Sequence, residues 1–386
     1  MIGLRKYLSP FIPDQSGSVA TFFELGGLIV IIDAGGCVGN ICGFDEPRYY
    51  NNSKSAIFSA ALRDIDAILG RDDLLIDKIG DAIKNLDCSF IALVGTPIPS
   101  VIGTDYRALE RMCENRYHLP TISVDTNGID LYDEGVSKAL IKLFKKFGKE
   151  DAKRDGFIGV LGTIPQDLPT LTSASNLIEL IQNNGYKAVQ YDRDFESFKS
   201  AKYATLNIVV SPSALKVAKY LKKTFNTPYI VDYPLCEENK VNFIQSINDK
   251  LNTKKEVKNN NHILPSSSDI IKNLKGKKIL VIAQQVIANN LRSILIQSPE
   301  CEKVDVATWF IFEPSIAKDD DFKLSEEDDL MNEVQKRDYD LIIGDQLLKR
   351  ALPKYKNSYI PLNHFAISGS LYQIDEDKDF LKGLLK

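Results

Sequence analysis

The feature that most restricts this chain is the alternation of short apolar runs with helical patterns. In its middle third, FIGVLGT (157–163), KAVQY (187–191), LNIVVS (206–211) and PYIVDYP (228–234) are apolar or β-branched with little polar alternation. Strands covered on both faces read this way. Between them, SASNLIELIQNNG opens on Ser and closes on Gly, and SALKVAKYLKKTFN and ENKVNFIQSINDKL carry apolar residues at helical spacing. A parallel neighbour cannot be reached through a tight turn, so strand, helix, strand in this order predicts parallel pairing through helical crossovers. The first third repeats the pattern with SFIALVGTPIP, GTDYRALERMCENR, TISVDTNG and YDEGVSKALIKLFKKF. The last third does so with KKILVIAQ, ANNLRSILIQ, KVDVATWFIF, EEDDLMNEVQKR and YDLIIGD.

A length of 386 residues exceeds what one core of ordinary size organises, roughly 250–300 residues. Apolar patterning stops in KLFKKFGKEDAKRDG (142–156) and again in NTKKEVKNNNHILPSSSD (252–269). The expectation is therefore an α/β protein of three Rossmann-like, doubly wound parallel-sheet domains, over 1–150, 151–260 and 261–386. The acidic stretch KDDDFKLSEEDD (318–329) reads as a solvated loop and a helix start. A net charge of −4 supplies no field that would gather nucleic acid. The most apolar segment, GLIVIIDA before a glycine pair, falls well short of the ~20 residues that cross a bilayer. No signal-peptide pattern opens the chain, and a cytoplasmic location is expected.

In open α/β sheets, ligands lie beyond the carboxyl ends of strands. VGTPIPSVIGTD (94–105) ends in no Gly-Lys-Ser/Thr, and GVLGTIPQD (159–167) lacks the G-x-G-x-x-G spacing, so neither argues a nucleotide. The histidines His118, His262 and His364 are scattered, and no Ser-His-Asp constellation is visible. His118 reads as a helix C-terminal cap. His364, after a late strand, is a candidate ligand or proton relay. Cys88, Cys113, Cys236 and Cys301 each stand alone and read as small buried hydrophobes. Cys37 and Cys42 are different. They share IIDAGGCVGNICGFDEPRYY (31–50) with Gly35, Gly36 and Gly39, and glycines let a cluster approach the backbone closely. Thiolates suit iron–sulfur or zinc centres, which need about four ligands. One chain supplies two, and a two-fold axis would bring the same loop twice to one place.

Taken in order, DAGGCVGNICGFDEPRYY, LVGTPIPSVIGTDYRALE, NIVVSPSALKVAKYLKKTFNTPYIVDYPLCEENKVNFIQSI, GKKILVIAQQVIANNLRSIL and YDLIIGDQLLKRAL resemble the nitrogenase component 1 family over nearly the whole chain. The resemblance implies an oxidoreductase subunit with an interface iron–sulfur cluster, fed with electrons by an ATP-dependent iron–sulfur reductase. In that family each nitrogenase subunit gives three cysteines to its interface cluster. Cys37 matches the second, the first falls near PFIPDQSG where no cysteine stands, and Pro97 replaces the third. An eight-iron cluster is thus not expected. Cys42 is an additional thiol, so two loops of a homodimer, or one loop and a paralogous subunit's, would offer four thiolates to one [4Fe-4S] cluster. Gly35, Gly36 and Gly39 would shape that site, with Cys37 and Cys42 as metal ligands. The alternative is a non-catalytic scaffold or assembly subunit of the same fold that holds no cluster.

Overall fold

The computed structural model describes residues 5–50, 54–149, 155–193, 195–258, 264–272, 274, 276–373 and 376–385. His262 lies outside them. Two compact units form, one from Ile12–Arg154 with Tyr191–Lys202, the other from Met1–Phe11, Asp155–Gln190 and Tyr203–Lys386.

The first of these units holds one sheet, of β1 (Leu28–Ile31), β2 (Ala56–Ser59), β3 (Ile91–Val94) and β4 (Thr121–Val124). Its strands run parallel in the order β2-β1-β3-β4. β1, β3 and β4 are buried throughout, as their unbroken apolar character requires. β2 is half-exposed and occupies the sheet edge. Leu28, Val30, Leu93, Leu109 and Cys113 meet in the core beneath the sheet. The helix Asp14–Phe22, which has no apolar period in the sequence, is buried at every position. It lies backbone to backbone against the helix Tyr132–Phe147. A methyl on Gly17 would stand 1.9 Å from the Tyr132 carbonyl oxygen, and one on Gly135 would stand 1.8 Å from that of Asp14. Glycine at both positions permits this approach. The Asp14 carboxylate accepts from the backbone N–H groups of Asn127 and Gly128 at 2.9 and 2.8 Å, which satisfies a fully buried acid.

The other unit holds two parallel sheets. One contains β5 (Phe157–Leu161), β6 (Ala188–Gln190), β7 (Ala204–Val209) and β8 (Tyr229–Val231) in the order β6-β5-β7-β8. The other contains β9 (Lys278–Ile282), β10 (Lys303–Thr308), β11 (Phe322–Lys323), β12 (Leu341–Gly344) and β13 (Tyr359–Pro361) in the order β11-β10-β9-β12-β13. Both orders reverse direction once, as doubly wound sheets do. Leu206, Ile208, Phe243, Ile279, Val281 and Leu291 belong to one continuous core that the two sheets share.

The acidic stretch 318–329 starts a helix, as expected, and residues 318–320 are exposed, but it is not solvated throughout. It contributes β11, and its Asp321 is 1% exposed where it pairs with Arg292 at 2.6 Å. Glu327, in the first turn of the helix Glu327–Arg337, accepts the backbone N–H groups of Lys6, Tyr7 and Leu8. Charge density in the sequence signalled solvent. Asp321 and Glu327 instead satisfy a buried guanidinium and the backbone N–H groups of Lys6, Tyr7 and Leu8. No helix of the described residues is long and apolar enough to cross a membrane.

Candidate metal centre at the carboxyl edge of the first sheet

The direction of strand order in the first sheet switches between β1 and β3, so the loops after these two strands flank its natural crevice. Their ends are stitched together. Ile32 N–H donates to the Val94 carbonyl at 2.9 Å, and Thr96 Oγ1 donates to the Ile32 carbonyl at 2.8 Å. The segment after β1 carries Cys37 and Cys42, and it is not an open loop. Gly36–Asn40 form an α-helical turn and Ile41–Asp45 a π-helical one. Gly35 opens the turn at φ +120°, a conformation that favours glycine. Asp33, fully buried, accepts the Val38 N–H at 3.0 Å and the Ser59 hydroxyl at 2.5 Å. A carboxylate before the first turn satisfies a free N–H and favours the helix dipole. A glycine-rich sequence hides this helix, because its helix-forming signal lies in one capping acid.

Both cysteines are free thiols and half-buried. Burial raises the pKa of Cys37, the Asp33 and Asp45 carboxylates raise it further, and a hydrogen bond with the Thr96 side chain opposes them. Burial also raises Cys42, a hydrogen bond with the Tyr49 side chain opposes it, and Glu46 adds to the rise. In the free chain the proton therefore stays on sulfur near neutrality, and ligation must displace it. Among the described residues no group of three or more His, Cys, Asp and Glu could hold a metal ion. The thiols are the soft donors an iron–sulfur cluster takes, and one chain supplies half of a four-ligand set.

The glycines test the fit. At Gly36, Gly39 and Gly43 an added Cβ would meet no atom of the described structure within 4 Å, and φ is ordinary. Each glycine in a helix costs about 1 kcal/mol relative to alanine, and no contact among the described residues explains that cost. The space beside Cys37 and Cys42 is open to a group from outside the chain. In the segments that follow β1, β3 and β4, Phe44, Tyr50, Ile98, Val101, Ile102 and Ile129 leave apolar surface exposed, with Val101 at 85% and Phe44 at 70%. Large apolar side chains left exposed after successive strands of one sheet are what a contact surface offers.

Buried within the segment, Glu46 and Arg48 anchor it. Arg48 Nε donates to Glu46 Oε1 at 2.7 Å, Nη2 to Oε2 at 2.8 Å, and Nη2 also to the Ala20 carbonyl at 2.9 Å. Its guanidinium lies 4.9 Å from the centre of the Phe23 ring. The sequence alone pointed to Cys37, Cys42, Gly35, Gly36 and Gly39. It gave no sign of Asp33, Tyr49 and Thr96 as their partners, because each is separated from the thiol it serves by a turn or a strand.

A family model described as nitrogenase component 1 type oxidoreductase matches residues 17–358. The chain belongs to this family. It is 28% identical over 247 residues to the nitrogenase iron-molybdenum cofactor biosynthesis protein NifE of Clostridium pasteurianum, a match covering 60% of this chain and 52% of that protein. The chain thus spans about half the length of this curated relative. Two solved structures share its fold. One, titled nitrogenase Cp1 at pH 6.5, has a TM-score of 0.73 at 13% identity, covering all of this chain and 92% of that one. The other, nitrogenase Cp1 at pH 5, has 0.68 at 14%, covering all of this chain and 89% of that one.

The remaining candidates resolve differently. His118 has φ +55° and donates its backbone N–H to the Glu114 carbonyl, so it ends the helix Tyr106–Tyr117. His364 is buried, its backbone N–H bonds Asp345, and burial lowers its pKa to about 3, which leaves the ring neutral. Cys113 and Cys236 are fully buried, with pKa values pushed up to about 12 and about 11 by burial. Cys301 is buried and Cys88 half-buried.

The Asp33 charge gives a direct test of the electrostatics. Asp33→Asn retains an acceptor for Val38 and removes the charge beside Cys37, so the thiol pKa is expected to fall. Alkylation of Cys37 at pH 7 in metal-free protein should accelerate several-fold, with the rate profile displaced to lower pH.

Proposed function

We propose that this chain is a subunit of a nitrogenase-like component 1 oxidoreductase. Cys37 and Cys42 hold one [4Fe-4S] cluster together with the same pair from a second copy or from a paralogous subunit. The cluster, when bound, accepts and passes on single electrons, supplied by an ATP-hydrolysing iron–sulfur reductase. The chain's own residues do the rest. Asp33 caps the turn that presents Cys37, Gly35 sets its entry angle, Gly36 and Gly39 keep the approach open, and the exposed apolar edge excludes water once a partner covers it. Low local polarity then strengthens the contacts that set the cluster's potential.

The observation that carries this reading is the open glycine face beside two free, half-buried thiols at a sheet's switch point. A second reading has its own support in the likeness to a cofactor biosynthesis protein: a subunit that serves assembly of another protein's cofactor without a cluster of its own. Anaerobic purification, followed by iron and sulfide analysis and an electron paramagnetic resonance spectrum of the dithionite-reduced protein, separates the two. A single four-iron signal with about four irons per dimer supports the first. A colourless protein that takes up no iron on reconstitution sinks it and leaves the second.

Gly39→Ala refines the test. It places a better helix former at an exposed position with free space, so stability in urea should hold or rise by up to about 1 kcal/mol. Iron content and dimer recovery should fall, because the methyl enters the space reserved for the cluster or the partner.

A further inference from the structure

We infer that an apolar cleft beside the short helix Asp377–Phe380 binds a small, uncharged, largely apolar molecule that carries one hydroxyl group. The cleft lies wholly within the unit of Met1–Phe11, Asp155–Gln190 and Tyr203–Lys386, to which Cys37 and Cys42 do not belong. The helix Ser173–Asn183 gives Leu177 and Leu180 to its wall, and the segment after β8 gives Tyr233 and Leu235. Phe380 and Leu381 close another side. The empty space is about 470 Å³, its open mouth included. A concave, mostly apolar wall with a few polar groups is the form that small-molecule sites take.

The charged groups of the cleft set the class of ligand. Lys240 and Asp377 both line it. Lys240, 6% exposed, is paired with Glu237 at 2.9 Å, and Glu237 Oε1 also accepts the Leu264 N–H at 2.6 Å. Its charge is already met. Asp377 Oδ1 accepts the hydroxyls of Thr170 and Ser173, each at 2.5 Å, and Oδ2 accepts the Asn176 amide at 2.7 Å. These three bonds tie the short helix to the start of Ser173–Asn183, so that Phe380 and Leu381 stand as a fixed wall. A ligand charge of either sign would lose its hydration among apolar side chains, and neither Lys240 nor Asp377 lacks the partners that would repay this loss. A hydroxyl is a different case. An ionised carboxylate has about four lone-pair positions, and Asp377 Oδ2 has one donor among the described residues. It can accept a ligand O–H without surrendering a bond.

The experiment uses 4-bromophenol as probe, a phenol that is uncharged near neutral pH, with 4-bromobenzoate and 4-bromobenzylamine as analogues of opposite charge on the same ring. In ligand-observed NMR titrations of the full chain the phenol should bind saturably, and each charged analogue should bind at least about tenfold more weakly. Leu264 is half-buried and lines the cleft, so Leu264→Trp puts a larger side chain into the space. It should weaken binding of the phenol at least about tenfold, with a urea midpoint near that of the wild type. In a wild-type crystal soaked with the phenol, the anomalous signal of bromine should stand between Leu177 and Phe380. This locates the ligand without a variant and decides the site alone if Leu264→Trp does not fold. The inference is overturned by a phenol that does not saturate, by bromine bound only elsewhere, or by a folded Leu264→Trp that binds as the wild type does. A charged analogue that binds as tightly as the phenol overturns the assignment of an uncharged ligand.

Discussion

Glu46→Ala is expected to lower the stability of the folded chain by about 3–5 kcal/mol, the usual penalty for leaving a buried charge without its partner. Glu46 is 1% exposed and Arg48 15%, so water cannot replace the lost carboxylate. Burial alone weakens the Arg48 charge, and Glu46, with smaller contributions from Asp192 and Glu24, more than offsets that effect. After the substitution the guanidinium keeps the Ala20 carbonyl and the Phe23 ring, with the carboxylates of Asp192 and Glu24 acting on it more weakly than Glu46 did. Urea denaturation should show the loss as a lower midpoint at unchanged slope. Glu46→Gln, which keeps acceptor capacity, should lose less. The double variant Glu46→Ala/Arg48→Met should recover much of the loss, since a well-packed apolar pair often replaces a buried ion pair without cost. If Glu46→Ala unfolds at the wild-type midpoint, the pair is not an anchor and the segment from Cys42 to Tyr50 is held by something else.

This anchor shows where sequence reading stops. Strands such as FIGVLGT and YDLIIGD were legible because a strand buried on both faces needs consecutive apolar residues, and the helices after them were legible through their period. Strand β2 was not, because an edge strand with half-exposed residues carries neither signature. The helix Asp14–Phe22 was not, because it is packed through glycine and small side chains against another backbone, so its burial leaves no apolar stripe. The two cysteines and their glycines stood out by composition. Their surroundings did not, since Thr96 reaches Cys37 from the far side of a strand crossing, and the pairing of Glu46 with Arg48 depends on a non-repetitive backbone. Local pattern encodes regular structure well. It encodes poorly the irregular turns from which a site is built.

Cys37→Ser and Cys42→Ser carry the largest expected functional effect: each should cut iron from about four per dimer to less than about one, the full occupancy being that of one four-iron cluster. In a homodimer a single substitution deletes two of four ligands, because symmetry repeats it. Both variants should fold, since serine is smaller than cysteine by little and both thiols are half-buried and free of disulfides. Circular dichroism and urea midpoints near wild type would show this. Cys88→Ser, altering the other half-buried thiol, should retain iron. The same measurement discriminates the assembly. If the second pair of ligands comes from a paralogous subunit, each substitution removes one ligand of four, and a partly occupied or three-iron cluster should persist. Near-complete loss thus points to a second copy of this chain, partial loss to a paralogue, and full retention in both variants would exclude the two cysteines as ligands. Iron uptake in the wild-type protein should also slow as pH falls, because burial holds both thiols protonated and each must release its proton before it can bind metal.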